Sequence, residues 1–232
     1  MTRKQMRSLG FFLALALVAT SGTWISAQDG GDGLRRPLDL PSGGIGGDDD
    51  EDAPESITFY GAEFEAEAFF WCVDRSGSMD GPPIATLKAE MTDALNQLSR
   101  RAQFGLVRFS TAHDVWRPRP VRANTANKGI AIAWIQEMSA FGWTCMPDAV
   151  AAICDISNQC NLRNKTIILV GDGMPLCGSA TNLLTSETLQ SLASHNYKRT
   201  PVNTIFISAN SDGVAFFREI AQLYGGKFIN IN

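Results

Sequence analysis

Three oxygen-bearing side chains stand at every second position after an uncharged run: Asp74, Ser76 and Ser78 follow Phe69-Phe70-Trp71-Cys72-Val73. The apolar run reads as a strand buried on both faces, as in a parallel sheet. Gly77 and then Asp80-Gly81-Pro82-Pro83 read as a loop entering a helix, because proline is tolerated in a first helical turn. The aspartate and both serines therefore belong on a tight loop at the carboxyl end of a buried strand. Open α/β sheets bind their ligands at that edge. Oxygen-only donors gathered there suit a hard cation such as Mg²⁺.

A frame of strands and helices must hold that loop in place, and the rest of the chain supplies one. Ile84, Leu87, Met91, Leu95 and Leu98 recur at intervals of three and four, which predicts a helix over 84–99 with one apolar face. Residues 104–109 read as a second strand, with 113–116 as a short strand hairpinned to it. Asn124 is placed to cap a helix whose apolar face includes Ile130, Trp134 and Ile135. Pro147 sits just inside another helix that runs to about Ile156. A strand over 166–170 leads to Asp172, and Thr185 or Ser186 is placed to cap a helix bearing Leu189 and Leu192. A strand over 202–207 and a helix over 214–224 follow; Gly225-Gly226 supplies a left-handed stop, and 228–231 closes the sheet. Residues 56–68 alternate only in part and read as an edge strand or lead-in. Strand and helix alternate throughout, which predicts a doubly wound α/β fold: a mainly parallel sheet with helices on both faces.

What precedes this domain (56–232) reads differently. Arg3, Lys4 and Arg7 stand before an uncharged run over 9–20, the layout of a secretory signal over 1–27. Cleavage after Ala27 or near Ser21 and an uncleaved N-terminal anchor stay open as readings. Residues 28–55 hold seven glycines and the acidic run Asp48-Asp49-Asp50-Glu51-Asp52, the composition of a disordered linker. From Ser56 onward there are 15 Lys+Arg and 15 Asp+Glu, against totals of 20 and 24, so the acidic excess lies in the leading segment. A neutral domain without a basic patch gives no footprint for nucleic acid. There is no Gly-x-x-x-x-Gly-Lys phosphate loop and no Gly-x-Ser-x-Gly elbow.

The Asp-x-Ser-x-Ser pattern after such a strand resembles the von Willebrand factor type A family, which includes the integrin I domains. Two further stretches fit in the same order: Phe141-Gly142-Trp143-Thr144, which supplies a Gly-x-Thr, and Ile167-Ile168-Leu169-Val170-Gly171-Asp172-Gly173, a strand ending in Asp-Gly. The resemblance covers roughly residues 69–230. It implies a metal-ion-dependent adhesion site with Ser76, Ser78 and Thr144 as hydroxyl ligands and Asp74 and Asp172 as carboxylates that often act through water. The implied cation is Mg²⁺, with Mn²⁺ or Ca²⁺ as alternatives, and the implied partner is a protein presenting an Asp or Glu carboxylate to it. Gly171 departs from the family, which often has a threonine there.

Five cysteines in a chain read as exported raise disulfides. Cys72, in mid-strand, reads as a buried free thiol. Cys154 and Cys160 are one candidate pair, from a helix end to the following loop; Cys145 and Cys177, on the loops at the metal edge, are the other. The expectation is a secreted or envelope-tethered protein-binding module that is not an enzyme and takes no small-molecule substrate. Two alternatives stand beside it. One is a Mg²⁺-dependent phosphoryl hydrolase with Asp74 as nucleophile, although such phosphatases want a second aspartate where Ser76 stands. The other is a structural module with the fold but without metal-bridged binding.

Overall fold

A computed structural model describes residues 54–232; the expected signal and all but the last two residues of the expected linker lie outside the described residues. The chain enters as a hairpin in which β1 (Glu55–Phe59) pairs antiparallel with β2 (Ala62–Ala66). Tyr60 and Gly61 both have positive φ, 51° and 70°, as a two-residue turn matched to strand twist demands. Ile57, Phe59, Phe64 and Ala66 point inward and alternate with outward Ser56, Thr58, Glu63 and Glu65. This corrects the expected edge strand or lead-in: the segment forms a two-stranded sheet of its own. Its position is fixed by Gln97, whose side chain accepts from the Thr58 N–H at 2.7 Å and donates to the Thr58 carbonyl at 3.0 Å.

The remaining elements alternate. They are β3 (Ala68–Asp74), α1 (Pro82–Gln97), β4 (Gln103–Phe109), β5 (His113–Val115), β6 (Val121–Arg122), α2 (Thr125–Gln136), α3 (Pro147–Gln159), β7 (Lys165–Gly171), α4 (Thr185–His195), β8 (Val202–Phe206), α5 (Ser211–Leu223) and β9 (Gly225–Asn230). The sheet runs β5-β4-β3-β7-β8-β9, with β6 also paired to β4. β3, β4, β7, β8 and β9 are mutually parallel, and β5 and β6 are antiparallel to β4. The fold is thus the expected doubly wound, mainly parallel sheet.

β3 explains its own composition. Phe69, Trp71 and Val73 face a core shared with α1, α2 and the hairpin. Phe70 and Cys72 face a second core, shared with α3, α4 and α5. Every residue of β3 is buried, so no position on it is free for a polar side chain until its last, Asp74. The neighbours of β3 are β4 on one side and β7 on the other, and the helices that follow β3 and β7 lie on opposite faces. The carboxyl ends of β3 and β7 therefore border a topological switch point, where the two outgoing connections part and leave a crevice.

Several local expectations are corrected by packing. The arginine- and proline-rich segment over 117–122, which has no strand pattern of its own, ends in β6, paired to β4. Of the expected apolar face of α2, Ile135 is buried and Trp134 packs against the core, but Ile130 is 51% exposed and Ala131 faces the core in its place. α4 has no side-chain cap; Thr185 is its first residue and Leu184 its N-cap. α5 starts at Ser211, earlier than the apolar pattern suggests, because the Asn210 side chain accepts from the Asp212 and Gly213 N–H groups, both at 3.0 Å. The Asn124 cap on α2 forms as expected, accepting from the Asn127 N–H at 2.9 Å. Among the described residues no helix is long and apolar enough to cross a membrane.

Candidate metal centre

Asp74 is the last residue of β3 and is fully buried. Its Oδ1 accepts the Ser76 N–H at 2.6 Å, which folds the chain back on itself and starts the short 3₁₀ turn Gly77–Met79. Its Oδ2 is buried with no partner. From there a line of oxygens leads across the crevice: Ser76 Oγ lies 3.1 Å from Ser78 Oγ, and Ser78 Oγ donates to Asp172 Oδ1 at 2.8 Å. Asp172 stands one residue past the end of β7. The register pairing β3 with β7 brings the two carboxylates to the same edge from 98 residues apart in number.

Thr144 comes from the α2–α3 loop. Its backbone N–H donates to the Leu176 carbonyl at 2.9 Å, and the next N–H, of Cys145, donates to the Ser110 carbonyl at 2.9 Å. Its hydroxyl lies beside Gly173, 3.8 Å from where a Cβ on that glycine would stand. It is buried, and it does not cap α3, whose N-cap is Met146. Gly142 permits the approach of this loop. It sits at φ +76°, and its carbonyl takes the Gly77 N–H at 3.0 Å.

Burial raises both carboxylates of the site. Burial pushes the Asp74 carboxyl up to about 7, the Ser76 N–H opposes this, and the nearby Asp172 charge adds to it. Asp172 is also raised, by burial, against a lowering bond from Ser78. Asp74, Ser76 and Thr144 are buried, Asp172 is half-buried and Ser78 is exposed; two carboxylates and three hydroxyls at one sheet edge, with one buried carboxylate oxygen unpaired, fit a small hard divalent cation. Among the described residues no three His, Cys, Asp or Glu side chains gather as a metal cluster, so this oxygen set rests on hydroxyls. The histidines are elsewhere: His113 lies on β5, and His195 Nδ1 pairs with Asp155 Oδ1 at 2.9 Å.

Gly171, the departure from the family pattern, has a steric reason. A Cβ there would meet the Phe217 ring at 3.0 Å and Asp74 Oδ2 at 3.4 Å, so side-chain bulk would press on the buried carboxylate. Sequence reasoning missed the support around Arg75. Its guanidinium donates to Asp114 Oδ2 at 2.8 Å and stacks over the Phe141 ring at 4.3 Å, while its carbonyl takes the Phe141 N–H at 2.9 Å. An arginine between two candidate ligands was the available signal.

Cys145 and Cys177 are joined, Cα to Cα 4.9 Å, tying the Thr144 loop to the loop that follows Asp172. Cys72, Cys154 and Cys160 are free and buried. The expected Cys154–Cys160 pairing is thereby corrected. Cys160 is the C-cap of α3, six positions after Cys154, about 9 Å of helix rise away, beyond the roughly 7 Å limit for a bridge. Burial also pushes the Cys154 thiol up to about 12, which keeps it protonated and unreactive.

Two outcomes follow. Replacing both Cys145 and Cys177 by serine opens a link between residues 32 apart and costs about 3 kcal/mol in chemical denaturation. In EDTA, Asp74 holds its proton to about pH 7 in the fold but only to 3.8 when unfolded. The unfolded chain therefore loses that proton first as pH rises. Thermal stability of the metal-free protein falls between about pH 4 and 7, and Asp74→Asn flattens that fall.

Residues 69–174 match the family model of the von Willebrand factor type A domain, a span that takes in all five candidate ligands. Over 152 residues the chain is 30% identical to inter-alpha-trypsin inhibitor heavy chain H4 of Homo sapiens. That match covers 62% of this chain and 16% of the heavy chain, so under a fifth of the relative's length is represented. In fold the chain is similar to a von Willebrand factor type A structure from Catenulispora acidiphila (TM-score 0.61, 19% identity, 78% of this chain and 46% of that one). It is similar also to the pilus adhesin SpaC from Lactobacillus rhamnosus GG (TM-score 0.58, 14% identity, 77% and 29%). Residues 69–174 thus carry the match to the von Willebrand factor type A domain, within a fold shared with a solved structure of that type.

Proposed function

We propose that this domain is an exported protein-binding module that holds a divalent cation, Mg²⁺ first, and uses it to take a carboxylate from a partner protein. The observation that carries this reading is the Asp74 carboxylate, fully buried with one oxygen unpaired and a second carboxylate across the crevice. An acid so placed is costly unless something positive shares its space. Ser76, Ser78 and Thr144 are the hydroxyl donors to that cation, and Asp74 and Asp172 neutralise it. When bound, the cation supplies an electrophilic centre for an incoming carboxylate oxygen. The chain contributes only two formal negative charges, so a third anion is still welcome. Ser78, bonded to Asp172 at 2.8 Å, holds the two halves of the site in register.

The same groups are poorly equipped for catalysis. Asp74 Oδ1 is occupied by the Ser76 N–H, the position for a second acid holds Ser76, and His195 is engaged with Asp155 on the α3–α4 side. Likeness to a pilus adhesin supports an adhesive use of the fold, and the sequence's N-terminal signal pattern supports export.

The test is a pull-down from a surface-protein extract with the purified domain, run in Mg²⁺, in EDTA, and with Thr144→Ala in Mg²⁺. The expected result is a partner recovered at least tenfold better by the wild-type domain in Mg²⁺ than in either other arm. Equal recovery in all three arms overturns the bridge and leaves a scaffold that touches its partner elsewhere.

A further inference from the structure

The edge that carries the five oxygens also carries exposed apolar surface. Of seven large hydrophobic side chains exposed among the described residues, three lie on the loops around the site: Phe141 at 48%, Trp143 at 39% and Leu183 at 47%. They stand on both sides of Thr144. Phe141 and Trp143 flank Gly142 on the same loop, and Leu183 pairs across from Leu176, whose carbonyl receives the Thr144 N–H. Two of the three are held in place. Phe141 is stacked under the Arg75 guanidinium, which Asp114 pins in turn, and the Trp143 backbone is fixed by the Thr111 hydroxyl at 3.0 Å. The Phe141 ring, held in this way, binds with little further loss of side-chain freedom.

Charge around the same rim is one-sided. The segments 76–81, 139–148, 172–187 and 207–213 contain no lysine or arginine, yet hold Asp80, Asp148, Asp172, Glu187 and Asp212. Arg75, the nearest cation, is committed to Asp114. Asp148 and Glu187 line a groove beside the Cys145–Cys177 bridge. A ligand bringing several acids would meet this ring at close range, whereas one bringing a single acid among apolar side chains would not.

Resting on the metal-bridged reading, we infer that the partner segment presents one Asp or Glu flanked by large apolar side chains, which lie on Phe141, Trp143 and Leu183. The acid goes to the cation, the apolar neighbours cover the exposed rim, and the surrounding acids reject polyacidic sequences. Affinity comes from both halves, because a lone carboxylate–cation contact in water is weak.

The experiment uses immobilised nine-residue peptides with a central glutamate flanked by Leu and Phe, by Gly and Ser, or by Asp, together with a glutamine twin of the first. Binding of the full domain is measured in Mg²⁺ and in EDTA, for wild type and for the Trp143→Ser/Leu183→Ser double variant, which leaves the Arg75–Phe141 support of the site intact. Mg²⁺ affinity of the free proteins is followed by calorimetry. The expected result is at least tenfold tighter binding of the apolar-flanked glutamate peptide than of the Gly/Ser or Asp versions, lost in EDTA and in the glutamine twin. The double variant removes that margin while Mg²⁺ affinity holds at the wild-type value. Equal, EDTA-sensitive binding of all three glutamate peptides overturns the rim and leaves the bridge standing. Binding of the apolar-flanked peptide untouched by EDTA and by the glutamine swap overturns the bridge and, with it, this inference. No binding of any peptide in Mg²⁺ overturns the inference as well.

Discussion

A carboxylate at the end of a strand with no exposed residue is the costliest placement in this domain, and much of its architecture is arranged around it. Asp74 sits where β3 leaves the sheet, between β4 and β7, with cores on both faces. Water does not reach it, and the Ser76 N–H satisfies only one of its oxygens. Low dielectric makes that unpaired oxygen expensive in isolation and strongly attractive to a cation. The loops that close over it come from β3, from the α2–α3 connection and from β7, and each delivers an oxygen. Those deliveries depend on backbone contacts of Gly77 with Gly142, Thr144 with Leu176 and Cys145 with Ser110, and on the Cys145–Cys177 disulfide.

The strength of the site therefore lies in its supports as much as in its ligands. Arg75 is the side chain between Asp74 and Ser76, and it points away from the oxygens to lock Asp114 and Phe141. Gly171 gives up a side chain so that Phe217 and the Asp74 carboxylate can share the space beside it. The Cys145–Cys177 bridge joins two loops that meet only through the fold. Such a bridge keeps Thr144 near Asp172 without demanding more core.

Much of this was legible in the residues. Asp74, Ser76 and Ser78 stood out by type and spacing, Thr144 and Asp172 entered only through the family resemblance, and the alternation of uncharged runs with three-and-four periodicity set the order of strands and helices. What escaped notice was decided by tertiary packing or by short-range turn chemistry. A tyrosine at positive φ is a rare opening for a tight hairpin turn, so Tyr60-Gly61 hid the β1–β2 sheet. β6 is two residues long and exists because β4 offers it a partner. Ile130 looked like core by period, but the orientation of α2 gave that place to Ala131, beside the expected Ile135. Cysteine pairing depends on where loops end, and only the assembled sheet edge brings Cys145 within 4.9 Å of the Cys177 Cα while α3 holds Cys154 and Cys160 apart.

Whether a cation occupies this crevice can be seen directly. Crystals of the domain soaked in Mn²⁺ and measured at the manganese absorption edge should show one anomalous peak among Ser76, Ser78 and Thr144, within reach of Asp74 and Asp172. The peak should be absent in crystals of Asp74→Asn treated in the same way. A crevice with no peak in the wild-type protein, or a peak elsewhere on the surface that survives Asp74→Asn, would contradict the metal-bridged reading. The buried aspartate would then need a different account.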